Sequence, residues 1–192
     1  MTFDDFQLVR PCIGERVSGD IAVTKPLASG LMAAIVDVSG HGPEAYELAI
    51  RLEQEILNWP NDNLTGLMRR LHETAHASRG AAVGLAALHD NGTLRYVGAG
   101  NTRIQKFGGQ PWKGLSRDGV IGSRLPTLRE ESTERADGDV ITLFPVGLSE
   151  RISAREYPRL ELETPPMIAH NLIKLFGKSY DDSSCIVIKC RA

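Results

Sequence analysis

Residues 31–43 read LMAAIVDVSGHGP, and this stretch decides the fold. Leu31 to Val36 is an unbroken apolar run, the pattern of a strand buried on both faces. Asp37 ends that run with a carboxylate. Gly40 and Gly42 then let the backbone turn tightly without a Cβ penalty, and Pro43 suits the first turn of a helix. From Glu44 to Trp59 the apolar residues Ala45, Leu48, Ala49, Leu52, Ile56 and Leu57 fall at helical spacing. Pro60 stops it.

Working outward, residues 6–13 and 19–25 read as short strands around the Gly14–Gly19 connection. Asp62 or Asn63 caps a second helix with Leu64, Leu67, Met68, Leu71 and Ala75 on one face. Residues 81–88 and 93–98 read as strands joined at Asp90-Asn91-Gly92, a strong hairpin signal. Gly100-Asn101 bends the chain into a strand over Thr102–Phe107. Residues 108–138 are rich in Gly, Pro and charge and include the loop Gly119-Val120-Ile121-Gly122. Asp137-Gly138 turns into an apolar strand, Val140–Phe144. Pro165-Pro166 opens a helix carrying Met167, Ile168, Leu172, Ile173, Leu175 and Phe176, and Cys185–Ile188 is a last apolar strand. Many strands, two consecutive helices and one late helix indicate an α+β fold with helices covering sheet.

At 192 residues the chain is expected to form one domain spanning 1–192. Its net charge of −2 gives no global basic field for nucleic acid or anionic membrane, so a partner must be recognised locally. The three cysteines, Cys12, Cys185 and Cys190, form no C-x-x-C pair, which argues against a disulfide framework or a cysteine zinc site. MTFDDFQLVR lacks the layout of a signal peptide, and no apolar stretch is long enough for a bilayer. A cytoplasmic protein is expected.

Three short acidic motifs carry the chemistry: Ser18-Gly19-Asp20, Asp37-Val38-Ser39-Gly40-His41-Gly42 and Asp181-Asp182-Ser183-Ser184. Each sets a hard oxygen donor beside small residues at a strand end, where it can reach a divalent cation. Taken singly, each reads better as an aspartate-initiated turn bonding backbone amides than as a ligand. Adjacent carboxylates such as Asp181 and Asp182 repel, and a cation relieves that repulsion.

The ordered set, S-G-D, D-V-S-G-H-G-P-E-A, R-G-A-A-V, G-A-G-N, G-V-I-G, D-G-D-V-I-T-L-F and D-D-S-S, resembles the PPM metal-dependent serine/threonine phosphatases. The similarity is to their small bacterial branch containing SpoIIE-like and RsbX-like stressosome phosphatases, and it runs from about residue 10 to 190. The resemblance implies a β-sandwich flanked by helices in α-β-β-α layers, with two Mn²⁺ or Mg²⁺ ions at one edge. It assigns Asp37 as the bridging metal ligand and Val38 as a backbone-carbonyl ligand. Asp20 would hold metal-bound water, Asp181 would bind the second metal, and Ser184 would fill the motif's Ser/Thr position. The implied activity is dephosphorylation of a regulatory phosphoprotein, such as a STAS-type antagonist or stressosome component, in a stress or sigma-factor switch. Arg10 and Arg79 are candidate phosphate ligands, since guanidinium binds phosphate in bidentate fashion, while a structural role for Arg79 at a helix end is equally open.

The sequence departs from that pattern at one place. Where the family has an aspartate after the Val140–Phe144 strand, the chain reads Phe144-Pro145-Val146-Gly147-Leu148. Valine has no side-chain oxygen, although carbonyls, water or Glu150 are possible substitutes. An alternative reading is a weak or inactive phosphatase fold that binds a phosphorylated partner. His41 sits in the glycine turn, where an acid–base role and a structural one are both open. A remoter rival is His72-Glu73-Thr74-Ala75-His76, which fits the H-E-x-x-H signature of zinc proteases. That reading needs both histidines on one helix face and a third ligand.

Overall fold

The structure, a computed structural model, describes residues 2–145, 157–158 and 160–191. In chain order the elements are β1 (Thr2–Arg10), β2 (Asp20–Leu27), β3 (Gly30–Val38), α1 (Pro43–Asn58), α2 (Leu64–Thr74), β4 (Ala81–His89) and β5 (Thr93–Ala99). They continue with β6 (Thr102–Phe107), β7 (Trp112–Leu115), β8 (Glu131–Glu134), β9 (Val140–Pro145), α3 (Pro165–Phe176) and β10 (Ser183–Arg191). One antiparallel sheet runs β1-β10-β9-β6-β7 and the other β2-β3-β4-β5-β8.

The unbroken apolar run now has its physical reason. Along β3, Met32, Ala34, Val36 and Val38 face α1 and α2, while Leu31, Ala33 and Ile35 face the other sheet. Strand side chains alternate between faces, so a strand covered on both sides must be apolar at successive positions. β10 is built the same way. Its Ile186, Ile188 and Cys190 fill the space between the sheets, and Cys185 and Val187 pack toward α3. Three apolar clusters thus separate four layers: α1 and α2, the β3 sheet, the β10 sheet, and α3. The α+β sandwich in α-β-β-α order is the architecture the sequence implies.

Local chemistry places the helices. Gly42 precedes α1 with φ +78°, a left-handed conformation that suits glycine, and Pro43 opens the helix. Asn63, not Asp62, caps α2: its Oδ1 accepts the Gly66 amide at 2.9 Å. Asp62 instead pairs with Arg95 of β5. The Asp90–Gly92 turn joins β4 to β5, with Gly92 at φ +91°.

Three expectations shift. The first strand occupies residues 2–10 and not 6–13, because it pairs with β10 from Thr2↔Arg191 to Arg10↔Ser183 and meets Pro11, which has no amide to donate. Leu57 is off the buried stripe of α1 and 45% exposed, while Ile56 packs fully. Met167 and Leu175 are likewise on the outer face of α3.

Candidate metal centre and active site

Asp20 opens β2, Asp37 is next to last in β3, and the two are direct cross-strand partners. By strand alternation both side chains point into the gap between the sheets, at its open end. Like charges directly opposite one another are destabilising, so the sheet places two carboxylates where folding alone would avoid them.

The start of β10 faces them from the other sheet. The Ser184 hydroxyl donates to Asp20 Oδ2 at 2.7 Å, and the Asp20 amide donates to Ser18 Oγ at 3.0 Å. Asp182 is buried, with Oδ1 accepting the Cys12 amide and Oδ2 the Gly19 amide, both at 2.7 Å. Both of its oxygens are thereby engaged in joining three loops. Asp181 is exposed and uses Oδ1 to accept the Asp182 amide at 3.0 Å. The pair therefore divides its labour, with Asp182 inward as a brace and Asp181 outward.

The electrostatics follow. Burial, then the charges of Asp181 and Asp182, push Asp37 up to about 6. Burial, followed by the Asp37 charge, raises Asp20 well above the ordinary carboxylate range, against the opposing donation from Ser184. Neither carboxylate has a cationic side chain bonded to it among the described residues.

A polar cavity of about 340 Å³ adjoins Asp37 and is lined also by Ser39, Asn101 and Asp118. Gly100-Asn101 is the tight turn expected, with Gly100 at φ +81°, but it borders this cavity and is not remote from it. Asp118 was not singled out from sequence. Only its place beside the Gly119–Gly122 loop could have signalled it, because its proximity to Asp37 is created by the tertiary fold.

Arg79 lies against the Asp37 loop. It donates to the Ser39 carbonyl at 3.2 Å and pairs with Glu44, and a Cβ on Gly40 would sit 2.5 Å from its Nη1. Arg10 is turned to the other side, donating to the Lys178 carbonyl at 2.8 Å and to Ser183 Oγ at 3.0 Å. His41 pairs with Glu15 at 3.0 Å. Val146 and Glu150 lie outside the described residues.

The zinc-protease reading fails on geometry. α2 ends at Thr74 with Ala75 as its cap, so His76 is outside the helix, and His72 Nδ1 accepts the Gly122 amide at 2.9 Å. Among the described residues no three His, Cys, Asp or Glu side chains are grouped to hold a metal ion. The donors at the acidic end are all oxygen, which fits a hard cation in kind. Mg²⁺ in particular keeps several waters and needs few protein carboxylates. The unneutralised Asp20–Asp37 pair is what such an ion would relieve.

No family model matches the chain, and no curated protein does. Solved structures do. A chain from a structure of the bacterial stressosome aligns with a TM-score of 0.87 at 21% identity, covering 98% of this chain and 100% of that one. RsbX in complex with magnesium aligns at 0.83 and 18% identity, covering 97% and 94%. The Mycobacterium tuberculosis serine/threonine phosphatase PstP aligns at 0.78 and 14% identity, with all of both chains covered. The chain has the PPM phosphatase fold. No helix among the described residues is long and apolar enough to cross a membrane.

Proposed function

We propose that this PPM-fold chain is a metal-dependent phosphoserine/phosphothreonine protein phosphatase acting on a regulatory phosphoprotein. The observation that carries the reading is the Asp20–Asp37 cross-strand pair, unneutralised at the open end of the sandwich beside Asp181. Asp37, Asp20, the Val38 carbonyl and Asp181 would hold Mn²⁺ or Mg²⁺. A divalent cation bound there supplies Lewis acidity, acidifying water and neutralising charge on phosphoryl oxygens.

The chain's own residues prepare that site. Ser184 fixes the orientation of Asp20, and Asp182 ties the loops of Cys12 and Gly19 to β10. Arg79 holds the Asp37–Gly40 turn through the Ser39 carbonyl and keeps a cation near an incoming phosphate. Arg10 is a weaker phosphate candidate, since its guanidinium is directed to the end of α3. The likeness to a stressosome chain and to a structure of RsbU and RsbW domains supports a substrate of the STAS-type antagonist or stressosome class. The expected setting is the cytoplasm.

Val146, in place of an acid, favours a second reading: a weak or inactive phosphatase fold that retains a phosphorylated partner. Mn²⁺-dependent hydrolysis of a phosphoserine protein by wild type, Asp37→Ala and Val146→Asp separates the two. Wild-type turnover lost in Asp37→Ala is the expected result. Wild-type turnover that survives Asp37→Ala would refute the metal assignment, and turnover only in Val146→Asp would favour the binding reading.

A further inference from the structure

β1 and β2 are edge strands of different sheets, and no backbone ladder among the described residues joins them. Toward residues 5–7 the two are stitched by side chains. Gln7 Nε2 donates to Thr24 Oγ1 at 2.5 Å, and Thr24 Oγ1 donates to Asp5 Oδ2 at 2.7 Å. Toward the acidic end the stitching stops, and a cavity of about 380 Å³ opens between the end of β1, the start of β2 and α1. Asp20 forms part of its wall and so belongs both to this cavity and to the candidate metal centre. Pro11, Ile21 and Ile50 form an apolar part of the remaining wall, Ser18 and the half-buried Glu53 a polar part, while Tyr46 and Arg16 are at the exposed mouth. The volume lies at the low end of small-ligand pockets, ~300–1,000 Å³. That is room for a large side chain and not for a folded element.

Resting on the phosphatase reading above, we propose that this cavity receives an apolar side chain flanking the phosphorylated residue of the substrate protein, with Ile50 and Tyr46 setting the preference. The first argument is position: a side chain seated here has its neighbouring residue at Asp20. The second is chemistry. An apolar wall rewards an apolar occupant by roughly 25 cal/mol per Å² removed from water. The third is charge. Arg16 makes no ion pair among the described residues, although acids surround this end of the molecule. A phosphorylated segment brings the anion that complements it.

The test uses the full chain with Mn²⁺, para-nitrophenyl phosphate, and phosphoserine peptides with Leu placed at each of the two positions on either side, against an all-Ala peptide. Leu in one register raises kcat/KM about tenfold, the order expected for a few methylenes in an apolar pocket. Ile50→Trp, which fills the cavity, and Tyr46→Ala, at an exposed position, reduce that ratio toward one. Both leave para-nitrophenyl phosphate turnover within about twofold, because that substrate has no flanking side chain to seat in the cavity. A Leu effect absent from every register, or one that survives both variants, overturns the proposal. If wild type does not turn over para-nitrophenyl phosphate, the phosphatase reading fails instead. The cavity is then read by fluorescence anisotropy with the same labelled peptides, where equal Kd values for Leu and Ala peptides overturn it.

Discussion

The sandwich buries carboxylates at both ends and treats them oppositely. At the far end Asp139 is almost wholly enclosed, yet its Oδ2 accepts from Lys106 Nζ at 3.1 Å and from the Ala136 amide at 2.8 Å. At the near end Asp20 and Asp37 face each other with no cation bonded to either among the described residues. One end shows that this fold can neutralise a buried acid. The other therefore reads as charge held in reserve for a ligand, and the contrast can be broken experimentally.

The largest effect is expected at the unneutralised end. Asp37→Ala lowers Mn²⁺-dependent hydrolysis of a phosphoserine protein on the order of 10³-fold, the scale for removing a key electrostatic contributor to phosphoryl transfer. The same variant melts no lower than wild type in chelator, because it relieves like-charge repulsion. A melting point several degrees lower would mean that Asp37 is a structural acid like Asp139, and the contrast would collapse.

The neutralised end should behave in the reverse manner. Lys106→Met leaves Asp139 buried without its cation and costs about 3–5 kcal/mol. That corresponds to roughly 10 °C or more in melting temperature for a chain of this size. Replacing both partners, Lys106→Met with Asp139→Leu, recovers most of the loss, while metal-dependent activity measured on the folded fraction is unchanged. Next in size is Asp182→Asn, which keeps one acceptor but offers an NH₂ to a backbone amide. The expected cost is about 1–3 kcal/mol, read by chemical denaturation. A neutral outcome would show that Asp182 is a spare ligand and not a brace.

These contrasts also explain what was legible beforehand. The apolar run of residues 31–36, the Asp90–Gly92 turn and the Pro43 start each express a local rule, so the layer order could be anticipated from them. Asp20, Asp37 and Asp181 became candidates through the order of their motifs along the chain and the resemblance it carries, since each alone reads as a turn. What stayed hidden was created by pairing. The division between Asp181 and Asp182 depends on which of the two faces the Cys12 and Gly19 amides. Asp118 and Asn101 come near Asp37 only through the loop packing around Gly100, whose Cβ would collide with Ala82 and the Gly119 carbonyl. The H-E-x-x-H string misled because its spacing presumes a helix through residue 76, whereas α2 stops at Thr74.

The smallest effect is the most diagnostic, because it reads the reserve charge without any catalysis. Asp37 is raised from 3.8 to about 6 in the folded chain, chiefly by burial and then by Asp181 and Asp182. A carboxyl with a raised folded value holds its proton more tightly in the native state than when unfolded. Native stability from this group is therefore fully present below about 4 and is lost as pH rises through 6. In chelator, the melting temperature of wild type relative to Asp37→Asn should fall across pH 4–6.5 by an amount worth about 2 kcal/mol, allowing for the partial exposure of Asp37. For a domain of this size that is roughly 5 °C. Millimolar Mg²⁺ or Mn²⁺ should restore the wild type and leave Asp37→Asn unmoved, since only the wild type has the anion to bind it. Asp139→Asn keeps the Asp20–Asp37 pair and should gain from the metal as the wild type does, whereas metal-dependent stabilisation of Asp37→Asn would show that the cation acts on the whole surface and not on the pair.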